Sequence, residues 1–554
     1  LTRAIGGTLH FVENANGGAS VITLSGNNQP TSDLPIAWAT YGDSYTFNAA
    51  QASYSLNALD FAMITGVNND VAAFAGVTRE DTDDVSLWVN GNDVSEGVAG
   101  FSGTTAVGAN VNTLHFDQDG ASTLTLDAGG LVVNSGGVMV NSLVATAGSI
   151  KTISGGPLSS GVGNDLIVHH YGADLLVIES ELVDNGGTAL VKTGTGAMVI
   201  NGANSYSGGT LFNGGSVSIS ADTNLGAGDL YFNGGALHTA ADMTLDPARS
   251  ITLGGNGGEL SVADGTTLTY GGFINEEPNL IAGYAANPAV GRIDKTGTGT
   301  LLWVNDADNS FAGLLDIKEG TLSWAPTTVI ANNTVVNPFG TNNAFLDGTI
   351  VRSGATLDIS PASISGTTSN LVINEWMTFE AGSTLNVAQN GDDNRGILFR
   401  GVLQFDSKGL SGGAGATIVD VNRNSVHFND DGGFLLCDGN ILKMGGGNLY
   451  LREPSPDWTG QMIIAEGAVY SYSAGQTLGS GTASILLGHD GTALDEPTSG
   501  TSLAALYFRD EGGYRDSSSI SQDIIVRNEN GLGNQTKRLG ALYLAHVDEA
   551  NFDG

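Results

Sequence analysis

Apolar and polar residues alternate along much of this chain in short runs that end at glycine, asparagine or serine. Residues 123–149 show strand, Gly-Gly turn, strand, Gly-Gly turn and strand, and residues 257–274 and 354–373 show the same style. Side chains of a strand point alternately to its two sides, so Leu124 and Leu126 share one face. The pattern predicts many short strands, each with one apolar face.

A short strand with one apolar face cannot bury that face alone, whereas coils stacked on one another bury a continuous core. We therefore predict an all-β fold, a right-handed parallel β-helix or a close β-solenoid relative, with coils of about 20–25 residues. A string of separate β-sandwiches is the alternative, and it predicts polar linkers about every hundred residues. Residues 48–64 are the best candidate for a helix or an irregular lid.

One motif occurs three times and is the most specific signal in the chain. Lys-Thr-Gly-Thr-Gly stands at 192–196 and again at 295–299, and Lys-Met-Gly-Gly-Gly stands at 443–447. An apolar strand, a turn, an aromatic residue and a glycine follow, and a further glycine comes seven residues later. Glycine at these corners allows positive φ and close approach of neighbouring coils. The motif positions are Lys192, Gly194, Gly196, Tyr206, Gly208 and Gly215, then Lys295, Gly297, Gly299, Phe311, Gly313 and Gly320, then Lys443, Gly445, Gly447, Trp458, Gly460 and Gly467.

The repeats predict an organisation into five segments. The first is a less regular, β-rich N-terminal segment, the second consists of solenoid coils, and the other three each begin at or next to a motif lysine. The predicted segments are 1–110, 111–190, 191–294, 295–442 and 443–554.

Composition narrows the classes of partner. The chain has 82 glycines, only 14% charged residues and 41% apolar residues, which excludes collagen and general disorder. Its 57 acidic and 20 basic residues give a net charge of −37 with no basic run, so we expect no nucleic-acid partner. Cys437 is the sole cysteine, so no intrachain disulfide can form. No apolar run of about 18 residues predicts a transmembrane segment.

Residues 192–215 resemble the autotransporter-associated β-strand repeat of bacterial surface and secreted proteins. Residues 295–320 and 443–467 match it in part, with DNSFAG and DWTG where the motif has NSYSGG. Residues 164–187 are similar to the run that precedes such repeats in large bacterial β-solenoid proteins. The resemblance implies an extracellular, passenger-like rod at the bacterial outer surface, structural or adhesive and not an enzyme.

Residues 523–554 continue as strand-like sequence to the last residue. We therefore expect either a longer parent chain or an end that another copy covers. An exposed terminal strand is a template for strand addition, so one hypothesis is end-to-end assembly into filaments. A discrete, concentration-independent monomer in sedimentation would contradict it. Copies of the chain itself and surface glycans are the expected partners.

Two polar stretches suggest catalysis and then argue against it. Residues 42–44, Gly-Asp-Ser, match one family of lipolytic hydrolases, but no histidine of the chain has an aspartate three residues before it. We therefore interpret the stretch as a turn and expect no catalytic residue. His169 and His170 are adjacent in a predicted strand and face opposite sides, so we expect a strand end packed on Tyr171 rather than a metal site.

Acidic clusters leave two hypotheses open. Their oxygens could bind calcium weakly, which makes calcium the one candidate cofactor, although no cluster has the twelve-residue EF-hand pattern. Aspartates on neighbouring coils could also act as acid and base, so the alternative function is a carbohydrate-active β-helix that binds or cleaves polysaccharide. Solvated acidic corners are the simpler interpretation. The candidate residues are Asp117, Asp119, Asp392, Asp393, Asp430 and Asp431.

Tryptophan offers a last candidate surface. Trp303, Trp324 and Trp458 could form a sugar-binding face if they were exposed. Trp458 occupies the aromatic position of the motif, where stacking under the next coil is the expected role.

Overall fold

A computed structural model provides the structure, which divides into two compact units, Leu1–Ser261 and Val262–Gly554. It describes residues 9–12, 35–42, 45–48, 53–56, 59–65, 70–73, 80–82, 84–88, 90–97, 99–141, 144–276, 291–306, 308–327, 335–340, 348–361, 370–388, 396–406, 415–422, 425–428, 434–452, 458–472, 484–488, 504–509, 524–526 and 541–544.

The first unit consists of short strands and two 3₁₀ turns, Val85–Leu87 and Asp222–Leu225. Its strands are β1 (Leu9–Val12), β2 (Pro35–Gly42), β3 (Tyr45–Asn48), β4 (Ser53–Leu56), β5 (Leu59–Thr65), β6 (Asp70–Ala73), β7 (Glu80–Thr82), β8 (Val94–Glu96), β9 (Ala109–Phe116), β10 (Ser122–Leu126), β11 (Leu131–Val140), β12 (Lys151–Gly155), β13 (Leu158–Ser160), β14 (Leu166–His170), β15 (Leu176–Ile178), β16 (Leu190–Thr193), β17 (Ala197–Ile200), β18 (Thr210–Phe212), β19 (Ser216–Ile219), β20 (Leu230–Phe232), β21 (Ala236–Thr239), β22 (Met243–Leu245), β23 (Ile251–Leu253) and β24 (Gly258–Val262), at whose last residue the second unit begins.

The described elements of the second unit are all strands. They are β25 (Thr267–Tyr270), β26 (Ile274–Glu276), β27 (Ile293–Thr296), β28 (Thr300–Trp303), β29 (Leu315–Ile317), β30 (Thr321–Trp324), β31 (Val335–Val336), β32 (Thr349–Val351), β33 (Thr356–Ile359), β34 (Asn370–Ile373), β35 (Met377–Glu380), β36 (Thr384–Val387), β37 (Gly396–Phe399), β38 (Val402–Asp406), β39 (Thr417–Val421), β40 (Ser425–Phe428), β41 (Phe434–Cys437), β42 (Ile441–Met444), β43 (Asn448–Leu451), β44 (Met462–Ile464), β45 (Ala468–Tyr472), β46 (Ile485–Leu487), β47 (Ala505–Arg509), β48 (Ile524–Val526) and β49 (Ala541–Leu544).

In the first unit, parallel strands alternate between two sheets as the chain coils. Sheet 1 has the order β7-β8-β9-β11-β14-β16-β18-β20-β23, with β13 also on β11, and sheet 2 has the order β10-β12-β15-β17-β19-β21-β24. Each strand pairs with the strand one coil later, as Leu190 does with Thr210 and Thr210 with Leu230. Before these coils, β1, β2, β5 and β6 form a separate sheet with antiparallel pairs.

In the second unit, three parallel sheets share the coils. Sheet 3 contains β27-β29-β32-β35-β38-β41, sheet 4 contains β25-β28-β30-β33-β36-β39-β42-β44-β46-β48, and sheet 5 contains β31-β34-β37-β40-β43-β45-β47-β49. All their strand pairs with a described register are parallel. This architecture confirms the predicted all-β parallel β-helix and shows that the β-sandwich alternative is wrong.

The core of each unit consists of identical or similar side chains stacked from coil to coil. In sheet 4, Leu301, Leu322, Leu357 and Leu385 occupy one register position and all are buried. Each such leucine contributes roughly 1.5–3 kcal/mol through burial. The residue one place further along is polar in three of these four coils, as the period-2 pattern predicts.

The predicted coil length holds only where a coil carries two strands. Thr300 pairs with Thr321, 21 residues later, but Thr321 pairs with Thr356 and Ile485 with Ile524, which are 35 and 39 residues apart. Sheet 5 begins at β31, inside the first of these long coils, and adds a third strand. The prediction of about 20–25 residues is therefore wrong for much of the second unit, because insertion between strands leaves their pairing unchanged.

The helix prediction for residues 48–64 is also wrong. The described parts of this stretch are strands, with β4 paired to β3 and β5 paired to β2 and β6. Strand pairing overrides the weak local helical pattern because propensity is only a small contribution.

Candidate functional site

The motif lysine of the first repeat lies inside the β-helix. Lys192 is fully buried and stands in register between Val168 and Phe212, at an inward-facing position of sheet 1. Its Nζ donates to the carbonyl oxygens of Thr193 at 2.9 Å, Gly194 at 3.0 Å and Gly214 at 3.2 Å. The first two carbonyls belong to the turn that follows the lysine, and the third belongs to the next coil.

The other two copies repeat this geometry on different sheets, Lys295 on sheet 3 and Lys443 on sheet 4. In every copy the third carbonyl belongs to the residue before the last glycine of the motif. The contacts are Lys295 to Thr296 O at 2.9 Å, Gly297 O at 2.8 Å and Glu319 O at 3.0 Å, and Lys443 to Met444 O at 2.6 Å, Gly445 O at 2.6 Å and Glu466 O at 3.1 Å. We call this arrangement the lysine corner.

The lysine corner holds a charge in a region with little water. Burial lowers the pKa of Lys192 and of Lys443 to about 7, and that of Lys295 to about 8. The three carbonyls act in the opposite direction, because an ammonium has three N–H donors and a neutral amine has two. The corner thus joins two successive coils by hydrogen bonds that need no side-chain partner.

The lowered pKa values predict that stability increases above neutral pH. Below pH 7 the lysines are charged in both states, so the cost of burying charge is fully present. Between pH 7 and pH 10 the unfolded chain keeps protons that the folded corners have released, so stability increases with pH. Thermal denaturation from pH 7 to 9.5 should show this rise, and Lys192→Met should reduce it. Lys318→Met, at a partly exposed lysine, is the control, and an equal reduction in both variants would contradict the assignment.

The motif glycines lie where coils approach each other. Gly194, Gly215, Gly297, Gly320, Gly445 and Gly467 have positive φ. A Cβ on Gly196 would lie 2.5 Å from the ring of His170, and one on Gly460 would lie 1.8 Å from the carbonyl oxygen of Gly439. The seven-residue step encloses one short strand, β18, β29 or β44. Of the remaining glycines, Gly208 would meet Gly187 O and Gly299 would meet Ala263 O, while Gly313 and Gly447 are buried at equivalent positions.

The aromatic motif residues are core residues. Tyr206, Phe311 and Trp458 are at most 1% exposed, and the Tyr206 hydroxyl lies 2.7 Å from Thr210 Oγ1. Trp303 and Trp324 are buried as well, so the three tryptophans that could have formed a sugar-binding face lie in the interior.

The histidine pair is likewise interior. His169 and His170 are both 1% exposed at the end of β14, and burial lowers the pKa of His170 to about 3. Among the described residues, no three histidine, cysteine, aspartate or glutamate side chains gather as a metal site would require.

The described acidic candidates serve turns. Asp117 accepts a hydrogen bond from Ser95 Oγ at 2.8 Å. Asp119 accepts from the backbone N–H groups of Thr146 and Ala145 and from the Thr146 hydroxyl, and these bonds lower its pKa. Asp392, Asp393, Asp430 and Asp431 lie outside the described residues, as do Asp43 and Ser44 of the Gly-Asp-Ser stretch.

A feature that the sequence analysis missed lies on the outer side of sheet 5. His427, Tyr450, Tyr470 and Tyr507 occupy one register position on four successive strands. Their ring centroids are 4.6, 4.6 and 4.5 Å apart, with interplanar angles of 17°, 8° and 11°. We call this row the tyrosine ladder, and Tyr543 of β49 continues its register.

The stacking decides what the tyrosine ladder presents. Ring faces contact the neighbouring rings, so ring edges and hydroxyl groups are left for the outer side. The Arg452 guanidinium lies beside the ladder, with Cζ 4.1 Å from the centroid of the Tyr472 ring and 5.7 Å from that of Tyr450. The signal that could have revealed this row is the recurrence of Asn-Leu-Tyr-Leu, Ala-Leu-Tyr-Phe and Ala-Leu-Tyr-Leu at 448–451, 505–508 and 541–544.

Comparison with known proteins gives the lysine corners a family. The passenger-associated-transport-repeat family matches residues 190–219 and 293–323, which contain the corners of Lys192 and Lys295. The chain carries autotransporter passenger repeats. The third corner, at Lys443, has the geometry of the two matched repeats, and the described part of the chain thus contains three coils built in one way.

One relative extends the similarity beyond the passenger repeats. The adhesin BmaC autotransporter of Brucella suis biovar 1 (strain 1330) is 26% identical over 318 residues, which cover 54% of this chain. The match spans only 9% of that adhesin's own length. No solved structure matches the chain. Passenger repeats and this similarity identify a secreted, cell-surface protein, as the sequence predicted.

The described residues include no helix that is long and apolar enough to cross a membrane.

Proposed function

We propose that this chain is an adhesive passenger segment, a β-solenoid that presents binding surfaces outside the bacterial cell. The observation that carries the proposal is the coincidence of the passenger-repeat matches with the lysine corners, which build the solenoid itself. The similarity to an adhesin supports an adhesive rather than a purely structural role. Surface glycans are the partners we propose, and copies of the same chain are a second class.

We further propose that the chain is not an enzyme. Asp117 and Asp119, the described members of the acidic candidates, accept hydrogen bonds within their own turns. Carboxylates held in this way are kept ionised, which suits a turn better than a general acid. The carbohydrate-cleaving alternative therefore gains no support from them.

Adhesion of coated beads tests the proposed function. Beads that carry the purified chain should adhere to cultured epithelial cells several times more than beads that carry albumin, and soluble chain should compete. Beads coated with an acidic globular protein of similar net charge control for charge alone. Equal adherence of the chain and the acidic control would contradict an adhesive role.

A further inference from the structure

Sheet 5 differs from the other sheets of the second unit in its charges. The chain has 57 acidic residues, yet none of the eight described strands of sheet 5 contains aspartate or glutamate. Sheet 3 carries Asp294, Asp316 and Glu380 in its strands, and sheet 4 carries Asp358 and Asp420. Sheet 5 is thus an acid-free surface on a strongly acidic protein.

Arginine borders the same surface. Arg400 directly follows β37, Arg452 directly follows β43, and Arg509 is the last residue of β47, in register with Tyr472. Because the strands are parallel, their carboxyl ends meet at one edge of the sheet. Three of the chain's 20 basic residues therefore lie along one edge of sheet 5.

The chemistry of this surface favours an anion. The edge of an aromatic ring carries partial positive charge, and the tyrosine ladder turns edges and hydroxyl groups outward. Guanidinium groups bind carboxylate and sulfate through paired hydrogen bonds. Ring faces are already stacked at 4.5–4.6 Å, so bases of a nucleic acid could not stack on them.

The ladder is also periodic. The same side chain recurs on each coil, so the surface offers an extended ligand the same contacts many times, and many weak contacts add up when they are linked. We propose that sheet 5 binds an acidic polysaccharide along the tyrosine ladder and its arginine edge. This inference rests on the proposed adhesive function and names the surface and the ligand class for it.

Binding to immobilised heparin, with dextran as the neutral polysaccharide, tests the inference on the full chain. The chain should bind heparin and not dextran, and binding should weaken from low to physiological salt as the charges are screened. Arg452→Gln should weaken binding about tenfold, the expected loss for a charged hydrogen bond. Tyr470→Phe removes one hydroxyl, keeps the stack and should weaken binding about threefold.

Lys318→Gln is the matched control, since it removes one positive charge from the partly exposed lysine of sheet 3. It should change heparin binding less than twofold, and circular dichroism should show all variants folded. Equal losses in Arg452→Gln and Lys318→Gln would overturn the assignment to sheet 5. Absence of heparin binding at low salt, or tighter binding of single-stranded DNA than of heparin, would overturn the ligand class.

The bead assay separates this inference from the proposed function. If Arg452→Gln loses heparin binding and keeps adhesion, the ladder is not the adhesive surface and the inference fails as an account of adhesion. If the wild-type chain binds heparin through the ladder but does not adhere to cells, the proposed function fails and the binding surface remains.

Discussion

Replacing Gly215 by alanine should destabilise the first passenger-repeat coil by about 3–5 kcal/mol, the sum of a positive-φ cost and of overpacking. Gly215 has φ +61°. An added Cβ would lie 2.3 Å from the carbonyl oxygen of Gly196 and 2.7 Å from Lys192 Nζ. Neither neighbour can retreat without breaking the lysine corner. Coils of a solenoid depend mainly on their neighbours, so the loss should be local.

Hydrogen exchange followed by mass spectrometry measures this loss coil by coil. Amides of β18 and β19 should exchange faster in Gly215→Ala, and amides of β12 should change little. Gly163→Ala is the matched control, because Gly163 has φ +72° but nothing within 4 Å of the added Cβ. That variant should cost about 1–2 kcal/mol, the conformational cost alone. Equal effects in the two variants would show that close approach of coils is unimportant.

Replacing Lys443 by methionine should destabilise its coil by about 2–4 kcal/mol, because buried carbonyls then lose their donor. Methionine has a similar apolar stem, so the loss reports the ammonium rather than a cavity. The carbonyls concerned are those of Met444, Gly445 and Glu466. Relief from burying a charge offsets part of the loss, which keeps the estimate below three full desolvation costs.

Thermal and urea denaturation, with hydrogen exchange of β42 and β44, measure the effect. Lys318→Met is the control, since Lys318 is partly exposed and pairs with Asp294 at 2.7 Å. Exposed pairs contribute about 0–1 kcal/mol, so this variant should remain close to the wild type. A Lys443→Met chain that is as stable as the control would show that the lysine corner contributes nothing net.

The fold was predictable from the sequence because a solenoid is local in sequence. Each strand contacts the strand one coil away, so alternation such as that of Leu301 and Leu322 carries both the strand and its neighbour. The lysine corner was predictable only as a pattern. Lys192 stands at an inward position among apolar residues, and that was its signal, but its role depends on the carbonyl of Gly214 in the next coil.

The third strand per coil and the tyrosine ladder could not be predicted in this way. The ladder joins Tyr470 to Tyr507 across 37 residues, and the spacing between its members varies with the loops between strands. Irregular spacing hides a row that regular pairing creates. Tryptophan is abundant in sequence motifs for sugar binding, yet Trp303, Trp324 and Trp458 are in the core because a large apolar ring is more stable there.

The sequence by itself determined the all-β class, the parallel coils and the position of each passenger-repeat corner, since glycine and alternation act within a few residues. Only the tertiary structure decided which coils carry three strands, that the motif lysines donate to two successive coils, and which aromatic rings face outward. Those properties depend on register between strands that lie 20–39 residues apart, and loops of variable length conceal that register in the sequence.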